Sequence, residues 1–253
     1  MARAAVSGGL KVRRAWRRAV VVERRPETPS ASTLVLDVPG WSGHLAGQHV
    51  DVRLTAPDGY QAARSYSLAA PQDGDRIEIT VQAVPDGEVS TYLVGDAQSG
   101  DSVEVRGPVG GWFVWRPEDS RPVLLVAGGS GVVPLMAMIR SRDSVSEAPF
   151  RLIYSVREPE DRIYDHELRR RAMEDGGLDI RFVYTRAAPD GEVRPVGRIS
   201  IDDLVSHGWP AEVEASCYVC GPTGFVETVA DLLIFMGNDA TKIRTERFGP
   251  SGP

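Results

Sequence analysis

At 253 residues, with 42% hydrophobic and 25% charged content, the chain has the make-up of a globular protein long enough for two domains. A net charge of −6 argues against general nucleic-acid binding. Two cysteines cannot build a disulfide framework, and no apolar run approaches the ~20 residues of a membrane-spanning helix.

Residues 1–14 read as a disordered basic tail. The chain is Arg-rich and acid-poor up to Glu23, one mark of a transit peptide, but Gly8 and Gly9 interrupt a helix there. The default location is cytoplasmic. From Ala15 to about Arg106 the pattern has period two. Val50, Val52 and Leu54 alternate with Asp51 and Arg53; Ile77, Ile79 and Val81 alternate with Glu78, Thr80 and Gln82. Such strands belong to antiparallel sheets wet on one face. Turn signals at Asp58-Gly59, Asp73-Gly74, Asp86-Gly87 and Ser99-Gly100 space them as in a small barrel or sandwich. After Arg116-Pro117 the grammar changes. Val123–Val126 is continuously apolar, like a parallel strand buried on both faces. Helices are predicted over residues 132–142, 164–174, 201–207 and 223–236. Strands are predicted over 150–156, 178–185, 215–220 and 242–246. That alternation means βαβ units and a parallel sheet. The domains expected are 15–118 and 119–253.

Six short stretches carry chemistry. In Arg64-Ser65-Tyr66-Ser67, Arg64 offers a charged fork for phosphate, Tyr66 a flat ring, and Ser67 a hydroxyl. On a strand, Arg64 and Tyr66 share a face. In Gly87-Glu88-Val89-Ser90-Thr91 a turn opens a short helix, a seat for pyrophosphate or a plain capped turn. Gly107-Pro108-Val109-Gly110-Gly111 reads as a loop, open to a ligand or simply turning. Gly128-Gly129-Ser130-Gly131-Val132-Val133-Pro134 follows a buried strand and opens a helix, the setting of a dinucleotide-binding turn. Cys220-Gly221-Pro222 ends the fourth strand of that domain, where ligands of open α/β sheets bind. A buried structural thiol is the commoner fate of such a cysteine. Glu246-Arg247-Phe248 closes the last strand. Cys217 and Cys220 form a C-x-x-C pair, but on one strand they face opposite sides, which disfavours a redox pair.

In this order the six stretches resemble the ferredoxin–NADP reductase superfamily, from about Trp16 to Phe248, with Gly47-Gln48-His49 matching its glycine–glutamine station. The nearest resemblance is to stand-alone bacterial FAD-binding oxidoreductases related to oxygenase reductase components. It implies a two-domain fold: an antiparallel Greek-key β-barrel holding FAD and an α/β five-stranded parallel Rossmann-like sheet holding NAD(P). The FAD contacts it implies are Arg64, Ser65, Tyr66, Ser67, Gln82, Val84, Gly87, Val89, Ser90, Thr91 and Phe248. The NAD(P) contacts are Gly129, Ser130, Gly131, Pro134, Ser155, Arg157, Arg162, Tyr164, Cys220, Gly221 and Pro222. Ser67, Cys220 and Glu246 take the catalytic positions. Ser155, Arg157, Arg162 and Tyr164 resemble the NADPH version, although Glu158, Glu160 and Asp161 among them leave NADH open. No metal is expected; many relatives carry an iron–sulfur domain, and this chain has no cysteine after Cys220.

The activity implied is an NAD(P)H-dependent flavoprotein reductase passing electrons to a separate ferredoxin, oxygenase or similar redox protein. A flavin reductase acting on free flavins and a non-catalytic FAD-binding subunit are the alternatives. A monomer is expected. Arg13, Arg14, Arg17, Arg18, Arg24 and Arg25 read either as a basic dock for an acidic partner or as a solvated tail and strand face.

Overall fold

The computed structural model describes residues 15–142 and 147–249, so the tail expected over 1–14 lies outside the described residues. The first half folds as six antiparallel strands: β1 (Arg17–Thr28), β2 (Ala31–Asp37), β3 (His49–Thr55), β4 (Gln61–Ser67), β5 (Arg76–Gln82) and β6 (Ser102–Val109). Their order in the sheet is β4-β3-β6-β1-β2-β5. A bridge between Leu68 and Ile79 ties the two ends together and closes the barrel. Val50, Val52, Ile77, Ile79, Val103 and Val105 point into its core, as the period-two pattern requires. Gly59, Gly74 and Gly100 take positive φ at the turns, whereas at Asp86-Gly87 it is Asp86 that does so, with φ 60°. A one-turn helix α1 (Glu88–Thr91) runs on into the π turn Tyr92–Asp96 and places Val89 and Leu93 in the core.

The second half is a parallel sheet of β7 (Val123–Gly128), β8 (Phe150–Val156), β9 (Leu178–Tyr184), β10 (Ser216–Pro222) and β11 (Ile243–Phe248), ordered β11-β10-β7-β8-β9. Helices α2 (Val132–Arg142), α3 (Asp165–Glu174), α4 (Ile201–His207) and α5 (Thr223–Phe235) connect the strands. Helix α4 starts where Ser200 and Asp203 cap each other reciprocally. The fold class expected from sequence is the one observed.

The two halves share apolar packing. Ala31, Ala46, Ala69, Phe113 and Trp115 lie in one cluster with Val132, Met136 and Tyr218 of the parallel-sheet half. The Tyr218 hydroxyl donates to Val114 O at 3.0 Å, fixing the connecting segment onto β10.

One sequence reading is corrected here. Gly107 and Pro108 lie inside β6, not in a loop. A Cβ on Gly107 would sit 2.8 Å from Val50 Cγ1, so this glycine serves the packing of β6 on β3. Gln48 is a loop clasp: it accepts from Leu45 N at 2.8 Å and donates to Gly110 O at 2.7 Å.

Candidate active site

Four of the six stretches meet where the end of β4 faces the carboxyl ends of β10 and β11. The Ser67 hydroxyl faces the Glu246 carboxyl closely enough to favour its charged form, bringing the barrel against the edge of the parallel sheet. Glu246 pairs in register with Cys220, and Phe248 with Pro222. Gly131 lies against Cys220 so closely that a Cβ on it would stand 2.1 Å from Cys220 O and 2.8 Å from Gly221 N. Strand order explains the meeting. In a parallel sheet the carboxyl ends of β7, β10 and β11 open on one edge, and the glycine turn after β7 bends over β10.

The electrostatics fit a water-poor crevice. Burial pushes the Glu246 carboxyl up to about 7, opposed by the Ser67 hydrogen bond. Burial and the neighbouring Glu246 drive the Cys220 thiol well above its ordinary value, so it stays a neutral, polarisable contact. The Tyr66 hydroxyl is buried without a hydrogen-bond partner, and burial pushes its pKa up to about 12. A buried phenol without a partner is the mark of a ligand group that belongs beside it. Arg64 is exposed, and among the described residues its side chain donates only to its neighbour's carbonyl, Ala63 O, at 2.8 Å. Gly129 holds φ +55°, and a Cβ there would meet open space, a backbone cradle of the kind phosphates occupy. These residues fit a flavin on the barrel and a dinucleotide on the parallel sheet.

The other expected contacts divide. Gln82 and Val84 lie at the end of β5, Thr91 is exposed, and Ser130, Pro134, Ser155, Gly221 and Pro222 cluster around the glycine turn and the ends of β8 and β10. Ser65 points to the opposite face of β4 and donates to Asp51 Oδ1 at 2.6 Å. The side chain of Val89 is core, 2% exposed. Ser90 holds its own turn, accepting from Val84 N and donating to Gly87 O, both at 3.2 Å. A Cβ on Gly87 would fall 2.5 Å from Ser90 Oγ. Arg157 is exposed, and among the described residues its side chain has an ion pair only with Asp161, at 3.7 Å. Arg162 is 11% exposed and committed to Pro159 O, the Tyr184 hydroxyl and Asp165. Tyr164 is 3% exposed, and its hydroxyl bonds Thr80 of the barrel. The structure thus places Tyr164 between the two halves, in one apolar cluster with Val132 and Val133 at the start of α2. The arginines of β1 are also engaged: Arg17 with Gly40 O, Arg18 with Ser102, Arg24 with Val94 O, and Arg25 with Glu78. Arg13 and Arg14 lie outside the described residues. Cys217 and Cys220 sit in separate core clusters on opposite faces of β10, as expected.

Residues 19–114 match the model of an oxidoreductase FAD-binding domain, and residues 125–231 that of an oxidoreductase NAD-binding domain. The chain belongs to the ferredoxin–NADP reductase superfamily. It is 31% identical over 208 residues to the ferredoxin–NAD(P)(+) reductase component of a naphthalene 1,2-dioxygenase/salicylate 5-hydroxylase system from a Ralstonia species, covering 81% of this chain and 61% of that protein. It is also 31% identical to a flavohemoprotein of Deinococcus radiodurans, covering 81% of this chain and 51% of that one. The chain therefore spans about half to three-fifths of these relatives. An Amycolatopsis cytochrome P450 reductase superposes with TM-score 0.81 at 26% identity, over 99% of this chain and 75% of the other. Among the described residues of this reductase-family chain, no helix is long and apolar enough to cross a membrane.

Removing the lone phenol tests the flavin seat directly. Tyr66→Phe is expected to stabilise the flavin-free protein by about 1 kcal/mol, because an unsatisfied buried hydroxyl disappears. The same change is expected to weaken FAD binding by up to about tenfold, the worth of one hydrogen bond. Denaturant unfolding of the flavin-free protein and a flavin fluorescence titration read the two opposite signs.

Proposed function

We propose that this protein is an NAD(P)H-dependent flavoprotein reductase that hands electrons to a separate redox protein. The observation that carries the reading is the contact chain Ser67–Glu246–Cys220–Gly131, which brings the flavin motif and the nucleotide turn to one crevice. Arg64 would hold the flavin pyrophosphate and Tyr66 would lie along the ring system. Gly129 and Gly131 would present backbone to the nucleotide phosphates, and Phe248 would cover the flavin until the nicotinamide arrives. Bound FAD would supply the chemistry of a hydride acceptor (two electrons and one proton) and a one-electron donor. Cys220, kept neutral by burial, would wall the nicotinamide site. Ser67 and Glu246 hold or pass a proton at the crevice floor, and a carboxyl near pKa 7 is matched to that task. The surrounding apolar residues keep water out, so the remaining work is orientation.

NADPH is the favoured donor because Arg157 is a loosely held guanidinium just past β8, where a 2′-phosphate is read. Arg157→Ala is expected to raise the KM for NADPH about tenfold or more while leaving NADH nearly untouched. Anaerobic mixing of the FAD-loaded protein with each nucleotide tests the whole reading: rapid bleaching of the flavin supports it. A yellow protein that neither nucleotide bleaches would leave a binding subunit. Turnover with free FMN, compared with an added ferredoxin, separates a flavin reductase from an electron-transfer component.

A further inference from the structure

Arg140, near the end of α2, is 13% exposed on its side chain and spans the two halves of the protein. Toward the parallel-sheet half its Nε and Nη2 donate to the two carboxylate oxygens of Glu167 on α3, at 3.1 and 2.5 Å. Toward the barrel its Nη1 donates to Ala69 O at 2.9 Å and reaches Glu78 Oε2 at 3.4 Å. Its guanidinium lies 4.9 Å from the centroid of the Tyr164 ring. That ring crosses the same boundary: its hydroxyl bonds Thr80, and its backbone N donates to Glu27 Oε2 at 3.3 Å. Charges alternate outward, since Glu78 also binds Arg25 at 2.8 Å and Glu167 binds Arg171 at 2.9 Å.

The two ends of this clasp are those that matter for the crevice. Ala69 stands two residues beyond Ser67, next to the bridge that closes the barrel. Helix α2 begins at the glycine turn. Adhesion between the halves is already supplied by the shared apolar cluster, which is non-directional. A nearly buried guanidinium is costly to desolvate and contributes little net stability over an apolar side chain of similar size. What it adds is direction: a planar fork with four fixed bonds to three residues on both sides.

We infer that Arg140 is a positioning residue that sets the placement of the nicotinamide turn against the flavin strand, with the Tyr164–Thr80 hydrogen bond as its second prong. The inference rests on the hydride-transfer reading above. Its test uses the FAD-loaded full chain with Arg140→Met/Glu167→Met, Arg140→Lys and Tyr164→Phe. The double variant is expected to keep the wild-type melting temperature to within a few degrees, and its FAD and NADP⁺ affinities to within about threefold. Hydride transfer at saturating nucleotide is expected to fall by about tenfold to a hundredfold, because ångström misplacement acts on the rate and not on binding. Amide hydrogen exchange in residues 68–70 and 113–115 is expected to quicken in the same variant, with or without nucleotide. Arg140→Lys, which keeps charge but loses the fork, is expected to fall between, and Tyr164→Phe to show a smaller effect of the same kind.

Wild-type transfer rates with unchanged exchange in the double variant would overturn the inference. So would a slow rate accompanied by loss of flavin or of melting temperature, which is the behaviour of a mere brace. If neither nucleotide bleaches the wild-type flavin, the functional reading fails instead, and the exchange comparison alone decides whether Arg140 fixes the two halves.

Discussion

Gly131→Ala is expected to slow NAD(P)H-dependent flavin reduction by about a hundredfold while the protein stays yellow. The added methyl would meet the carbonyl oxygen and carbon of Cys220 at 2.1 and 2.5 Å, and Gly221 N at 2.8 Å. All three are backbone atoms of β10, which lies between β7 and β11 and cannot retreat without breaking two ladders. The glycine turn must therefore move. A shift of about 1 Å in the nucleotide seat costs a rate factor on the order of 10². Overpacking of this kind also lowers stability by about 1–3 kcal/mol. Apart from Phe248, the flavin contacts proposed above lie on the barrel, so FAD content is expected to hold. Gly129→Asn is the control. Gly129 has φ +55° with open space around its would-be Cβ, and asparagine tolerates that backbone. It is expected to preserve the fold and to weaken nucleotide binding only by crowding the phosphates. Stopped-flow bleaching, flavin absorbance and thermal melts read these three consequences separately.

Glu246→Gln is expected to alter both turnover and the pH dependence of stability. Burial raises the folded-state carboxyl from 4.5 to about 7. Between those values the native state holds a proton that the unfolded chain has lost, so wild-type stability declines as pH rises through this window. Below about 4.5 both states are protonated, and above about 7 the deficit is complete and constant. The glutamine variant carries no such deficit. Relative to wild type it is therefore expected to be no better at pH 4, progressively more stable from 4.5 to 7, and stably better beyond. Urea midpoints of the flavin-free protein across that range check the sign. Reduction of a one-electron acceptor at pH 7 is expected to fall by about 10²-fold, the usual worth of a positioned proton donor. The inflection near 7 in the rate profile should vanish with it.

The parallel-sheet half was largely legible because its grammar is local. The predicted helices 132–142 and 201–207 and the strand 150–156 coincide with the observed elements to the residue. Arg142 ends the first of these helices, and the Ser200/Asp203 box opens the second. The barrel was harder. Ala31 to Leu36 is buried on both faces, so β2 lacks the alternation that marks its neighbours. Ser67, Gly131, Cys220 and Glu246, which the structure brings together, stand out in the sequence because each falls near a strand end or in a glycine turn. Gly107 deceived for the opposite reason: a glycine needed for strand packing has the same letter as one needed for a ligand. Tyr164 and Arg140 were beyond reach. Their partners Thr80, Ala69 and Glu78 are 62 to 84 positions away in sequence, and no spacing rule connects them.

The joint core built from Ala46, Ala69, Phe113 and Trp115 with Val132 and Met136 has a consequence for protein engineering. Either half expressed by itself would bare an oily wall, and such walls recruit chaperones or precipitate. The pair is expected to melt as one cooperative block. A chimera that borrows these FAD- and NAD-binding halves must therefore take the two lobes as a single cassette, cut outside residues 15–249 and never at the seam between them.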